Sequence, residues 1–335
     1  MSGSRQTTVG GPGESVGVST EKKASWVPAF AALSVIWGSS FLFIKVGVEQ
    51  VAPLYVTLFR TATGALVLLA TLVITRERLP RDPRLWGHLT FVAFMSNVMP
   101  FTLFAYAEDG HVSSVVAGIW NATTPLGALL LMIVVFPQER ATRQRVGGLL
   151  LGFLGVLVVL GVWQGAGGSP LTGQLICFAA AMCYAVNLTY VRRFIAGRPE
   201  SGTSIAAAQI TLSAAQLAVI APLLAGAPAN PLHLHLRVVA AIVALGALGT
   251  GLAFVLMYRV IRLAGVATSS TVTYLMPIVA AVAGVAVLGE KLHWYEPVGA
   301  LVILLGVAVT QGRVRLPRRT AATVPEPVPA GASAD

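Results

Sequence analysis

Pro125 and Pro277 lie 277 − 125 = 152 residues apart, each in the middle of an apolar run and each beside hydrogen-bonding side chains. Asn121 and Thr124 accompany the first, Thr273 and Tyr274 the second, and Trp120 adds an aromatic face next to Asn121. Proline has no N–H to give the carbonyl four residues earlier. In a continuous helix, Pro125 therefore frees the carbonyl of Asn121, and Pro277 frees that of Thr273. Within a membrane a freed carbonyl must find protein, water or ligand. The chemistry this offers is noncovalent: an aromatic wall with donors and acceptors, suited to a small amphipathic solute. In the alternative, hydroxyls of the same turns bond the carbonyls and the prolines only bend their helices.

Other polar and aromatic residues inside apolar runs join the candidate binding set: Trp37, Asn97, Tyr184 and Asn187. Two basic residues close to run ends, Lys45 and Arg60, are candidates for an electropositive gate or vestibule, with a tie from Lys45 to Glu49 or to lipid headgroups as the structural alternative. Gly38, Ser39 and Ser40 mark a place in the first run where a helix can bend or a neighbour can approach closely.

No pattern for catalysis or metal binding emerges. There is no H-E-x-x-H pair, no embedded aspartate pair, and no G-x-S-x-G or P-loop in a fitting context. Cys177 and Cys183 lie six residues apart in one run and form no disulfide or metal framework, and the five histidines fall at run ends or in loops. No cofactor or metal is expected, and no enzyme activity. Every acidic residue sits in a tail, a loop or a run end, so no carboxylate is expected near the middle of a helix. Glu139 and Glu290 are read as caps pairing with nearby Arg or Lys, and as the end residues that could couple transport to an ion.

The elements that must position these residues are helices in a bilayer. Of 335 residues, 56% are hydrophobic and only 11% charged, against roughly 25% charged in soluble domains, and the mean hydropathy is +0.78. Apolar runs of about 20 residues, the length one crossing needs, start near Trp26, Pro53, Leu85, His111, Arg143, Leu171, Thr203, Arg237, Gly265 and His293. The fold class expected is an all-α polytopic membrane protein with ten transmembrane helices, in contact with the lipid bilayer. A homodimer is one admissible assembly.

The formal charge of +10 follows the loops rather than one solvated face, which argues against a nucleic-acid partner. With a cytoplasmic N-terminus, 19 of the 23 basic residues fall on inner segments, leaving Lys45, Arg60, Arg237 and Lys291 outside. The positive-inside rule then places both termini in the cytoplasm, in a multi-pass protein of the plasma membrane. Residues 1–25 and 313–335 have the composition of disordered tails.

Two segments resemble each other. YAEDGHVSSVVAGIWNATTPLGALLLMIVVFPQER, from Tyr106, matches YRVIRLAGVATSSTVTYLMPIVAAVAGVAVLGEK, from Tyr258, again at 152 residues. More weakly, SVIWGSSFLFIK pairs with AAMCYAVNLTYVR, Trp37 against Tyr184 and Lys45 against Arg192. The expectation is two five-helix repeats, 26–163 and 171–312. Because five is odd, the second enters the membrane inverted, a common build of secondary transporters with the substrate site between the halves.

WGSSFLFIKVGVEQVAPLYVTLFR, the Pro125-to-Arg140 segment and TVTYLMPIVAAVAGVAVLGEKLHWYEPVGALVILLGV resemble the EamA-type transporters of the drug/metabolite transporter superfamily. The resemblance covers about residues 26–312, with PQER standing where the family has Gly-Glu-Arg. It implies a bacterial-type plasma-membrane carrier for an amino acid, metabolite or drug-like compound, working by alternating access. Lys45 and Arg60 match basic residues of the family. Efflux is the expected direction, with import or exchange as the alternative, and a receptor or intramembrane enzyme is less favoured.

Overall fold

In hydrocarbon each backbone N–H and C=O must be bonded within the chain, and runs this apolar meet that demand as helices. The computed structural model describes residues 25–110, 112–135, 142–159, 170–269 and 271–314, and these are helical with no strands among them. The first half contains α1 (Val27–Val48), α2 (Pro53–Thr75), α3 (Pro83–Ala93), α4 (Met99–Glu108), α5 (Ser114–Asn121), α6 (Thr124–Val135) and α7 (Arg143–Val159). The second contains α8 (Leu171–Phe194), α9 (Gly202–Ala225), α10 (Leu236–Gly246), α11 (Ala253–Ser269), α12 (Val272–Leu288) and α13 (Tyr295–Thr310). A π-helical turn, Phe94–Val98, joins α3 to α4, and another, Ala247–Leu252, joins α10 to α11.

Helix ends follow local chemistry. Pro53 and Pro83 open α2 and α3, where a missing N–H costs no bond. The Asp82, Ser113 and Ser201 side chains cap α3, α5 and α9 by accepting from the N–H of Arg84, Val116 and Ser204, a contribution of roughly 1 kcal/mol each. The expected helices beginning near His111 and Gly265 are both interrupted. The former is split into α5 and α6. In the latter, Gly265 is non-helical at φ 83°, and a short stretch to Ser269 precedes α12.

Seven stretches among the described residues have the length and hydropathy to cross a membrane: Val27–Val48, Pro53–Thr75, Pro83–Glu108, Ser114–Val135, Leu171–Phe194, Gly202–Ala225 and Leu236–Gly265. Leu275–Leu288 and Tyr295–Thr310 are apolar but shorter. Ten crossings require these two and α7 to span as well. Large apolar side chains such as Leu66, Ile74, Val134, Leu150 and Leu223 are exposed on the outside of the helices, as a lipid-facing surface demands.

Packing alternates between the two halves. α1 lies against α12, and α8 against α6; α2 lies against α9, and α7 against α13. The α7–α13 contact rests on small residues, the means by which helices associate without a hydrophobic driving force. A Cβ on Gly306 would come within 2.5 Å of the Gly152 nitrogen, and one on Gly155 within 2.6 Å of the Ile303 nitrogen. The largest apolar core gathers Leu33, Phe41, Ile44, Phe104, Trp120 and Met276 from α1, α4, α5 and α12.

Candidate functional site

The two prolines differ in their local structure. α5 ends at Asn121, Ala122 and Thr123 form a turn, and α6 restarts at Thr124. Pro125 is thus in the first turn of a new helix, where an N–H has no intrahelical partner. It does not interrupt a continuous helix, as the spacing alone suggests, and the Thr123 hydroxyl donates to the Trp120 carbonyl at 2.7 Å. Pro277 lies inside α12 as expected. The two segments meet across the halves, with Asn121 Nδ2 3.8 Å from Met276 Sδ.

Trp120 is a core residue. Its Nε1 donates to Gln174 Oε1 at 3.4 Å, and its ring meets Phe178 edge-on at 5.9 Å. Trp37 is half-buried against the same core, and Tyr184, also half-buried, stacks on Phe104 at 6.4 Å. Thr273 is half-buried on α12. The Tyr274 side chain lies outside the described residues, as do Glu139, Arg140, His111, Trp163 and most of both tails.

Asn97 lies in the first π-turn, completely buried, and its Nδ2 donates to Ser213 Oγ of α9 at 2.9 Å. In the second π-turn, Thr250 Oγ1 accepts from Arg60 Nε of α2 at 3.0 Å. The two contacts are related by one offset, since 250 − 97 = 153 and 213 − 60 = 153. A π-turn leaves carbonyls without their usual partners, and side chains fill in. The Ser213 hydroxyl reaches the Ala93 carbonyl at 3.3 Å, and that of Thr250 reaches Leu245 at 3.4 Å. Among the described residues, Asn97 Oδ1, Thr124 Oγ1 and Asn187 Oδ1 are buried without a hydrogen-bond partner. Buried polar atoms are nearly always satisfied, and these three are unpaired among the described residues together with Thr102 Oγ1, both carboxyl oxygens of Glu108, Glu200 Oε2, Thr211 Oγ1 and Gln216 Oε1.

Arg60 is 6% exposed and does not line an open mouth. Its guanidinium lies 3.5 Å over the Phe101 ring, a cation–π contact. Lys45 is half-buried and does not pair with Glu49. Its Nζ donates to the carbonyls of Glu108 and Val112, at 2.6 and 3.1 Å. Glu49 pairs with Arg237 instead.

The acid that sequence reasoning missed is Glu108, the last residue of α4, at 0% exposure. As a run end it reads as interfacial. The signal that places it inside is helical spacing: Asn97, Phe101, Phe104 and Glu108 recur at intervals of four, three and four, a single stripe of a helix, and all four are buried. Glu290 does cap, and among the described residues it pairs with no Arg or Lys. Its carboxylate accepts from the N–H of Ser114 at 2.9 Å, the Ser114 hydroxyl at 2.8 Å and the N–H of Val115 at 3.4 Å, holding the α5 N-terminus from the other half. No group of three or more His, Cys, Asp or Glu placed to hold a metal occurs among the described residues.

Comparison with known proteins adds relatives to this geometry. The EamA-like transporter family matches the chain twice, over residues 24–161 and 171–311. The chain is 23% identical over 286 residues to a protein of Archaeoglobus fulgidus named "Uncharacterized transporter", covering 84% of this chain and 96% of that one. It is 26% identical over 294 residues to the "Uncharacterized inner membrane transporter YedA" of Escherichia coli, covering 87% and 92%. A solved crystal structure aligns with a TM-score of 0.61 at 21% identity, over 87% of this chain and 98% of that chain. That likeness is one of fold.

Proposed function

Because the chain belongs to the EamA-like transporter family, we propose that it is a secondary transporter moving a small amphipathic metabolite out across the plasma membrane by alternating access. In this reading ten helices form two inverted repeats, residues 26–163 and 171–312, with both termini cytoplasmic. The ends of α1, α4 and α12 and the start of α5 then face outward. The transporter names of its relatives in Archaeoglobus fulgidus and Escherichia coli support the class. The 19-to-4 distribution of basic residues supports the orientation.

The observation that carries the reading is the set of orphaned buried polar atoms, Asn97 Oδ1, Thr124 Oγ1 and Asn187 Oδ1. They come from both halves: Asn187 shares α8 with Tyr184, and Thr124 opens α6 just after the turn that follows Trp120 and Asn121 of α5. An unpaired polar group inside a protein costs on the order of 1–3 kcal/mol, a cost that bound solute removes. A scaffold or receptor has no need of such groups in both halves.

Proteoliposomes loaded with a panel of amino acids and amphipathic metabolites, with and without a pH gradient, test the proposal. It expects saturable efflux of at least one class of solute. Absence of saturable flux across the panel, with folded protein in the membrane, favours a non-transporting role.

A further inference from the structure

We propose that Glu108 is the group that takes up and releases a coupling proton, and that Lys45 and Arg60 are the charges its carboxylate turns to when the proton leaves. The inference rests on the transport reading and names what regulates that site.

Glu108 is sealed at 0% exposure, and neither carboxyl oxygen has a hydrogen-bond partner among the described residues. The charged and titratable groups close enough to act on it electrostatically are Lys45 from α1, Arg60 from α2, Cys177 from α8 and Glu290 from the segment after α12. Tyr184 of α8 faces Arg60 in turn, the other titratable side chain of α2, Tyr55, is bonded to the Gly226 carbonyl, and α5 carries no titratable side chain. Both cations are engaged elsewhere. Lys45 holds two backbone carbonyls, one of them that of Glu108 itself. Arg60 gives its Nε to Thr250 and its face to Phe101.

A carboxylate sealed from water with no donor on either oxygen is costly, whereas a neutral carboxylic acid in the same place is far less so. The arrangement of unpaired oxygens beside otherwise engaged cations therefore fits the protonated acid. When the proton leaves, the O–H bond breaks, its electron pair stays on the carboxylate oxygen, and the proton passes to water on whichever side is open. The new negative charge then competes with the present partners of both cations. Turning Lys45 to the carboxylate releases the Val112 carbonyl, which ties α1 to the turn before α5. Turning Arg60 to it loosens the Thr250 link between α2 and the second π-turn. One proton thus selects between two sets of ties among helices of both halves, the kind of bistable element a switch requires. Glu290 is no second site of this kind, because both of its oxygens are already occupied by donors.

Infrared difference spectroscopy on the full-length protein in liposomes, with pH stepped upward, reads the site through the proton alone. The wild type is expected to show a neutral carboxylic-acid band that disappears with rising pH. Glu108→Gln is expected to abolish the band, and Glu290→Gln to retain it. Absence of a titrating band in the wild type, or its persistence in Glu108→Gln, overturns the proposal. If Glu108→Gln fails to reach the membrane, Glu108→Asp serves instead: a displaced band supports the assignment, and an undisplaced one refutes it. In a second measurement, Glu108→Gln is expected to keep counterflow of a transported panel solute while losing its response to a pH gradient; retention of that response refutes coupling. A Glu108-dependent band without flux of any panel member leaves the proton site standing and removes the transport reading.

Discussion

Arg60 donates through Nε to Thr250 Oγ1 at 3.0 Å, and the contact between Asn97 and Ser213 at 2.9 Å repeats it at an offset of 153 residues. Each joins a π-turn of one half to an α-helix of the other. The donor differs: a guanidinium in one case, a neutral amide in the other. Hydrogen bonds to charged groups contribute about 1.5–3 kcal/mol and neutral ones about 1 kcal/mol. Thr250→Val is therefore expected to lower the melting temperature of the purified protein more than Ser213→Ala does. Equal losses would mean that the charge on Arg60 is balanced by other groups.

The α7–α13 seam predicts a contrast between two glycines. At Gly155 a Cβ would meet the Ile303 nitrogen at 2.6 Å and the Gly299 carbonyl at 2.9 Å, while at Gly87 nothing lies within 4 Å. Gly155→Leu must push the helices apart, an overpacking cost of about 1–3 kcal/mol or more. Gly87→Ala removes backbone freedom at an open helical position and is expected to be neutral or stabilising by up to about 1 kcal/mol. Thermal unfolding in detergent, with membrane abundance as a second readout, distinguishes them.

Asp82 predicts a pH dependence. The Arg84 N–H and then the Arg198 guanidinium, at 2.8 Å, hold its carboxyl below the usual aspartate range. A depressed carboxyl contributes stability that is present above its unfolded value and is lost as pH falls through the lower folded value. Asp82→Asn retains a cap acceptor and removes only the charge. The wild type is expected to melt above this variant at neutral pH, with the gap narrowing below about pH 4 and closing in stronger acid. A gap independent of pH would show that the ion pair with Arg198 contributes nothing.

The helical class and the apolar runs were legible in composition and spacing, because a bilayer leaves few ways to satisfy a backbone. The two π-turns were not. FMSNV carries no helix breaker, and the glycines of ALGTGL read equally as close helix packing; the extra residue in the turn is accommodated by side chains, Ser213 and Thr250, one of them on another helix. Pro125 was misplaced by one feature of local structure: Thr123 ends the preceding turn and lets the helix restart, so the proline opens a helix rather than breaking one. Glu108 was hidden by its position at the end of a run. Its four-three-four spacing from Asn97, Phe101 and Phe104 marks the buried stripe, while the bond that Lys45 gives its carbonyl, from 63 residues away, lies outside any local window.

Accessibility of position 121 from each side of the membrane tests the central claim, a single site reached alternately from both sides. Asn121→Cys, in a chain carrying Cys177→Ser and Cys183→Ser, is placed in right-side-out and inside-out vesicles and exposed to a membrane-impermeant maleimide. The account predicts reaction in both orientations, with labelling from one side preventing later labelling from the other. Reaction from one side only, at every pH and with every solute tested, would contradict it.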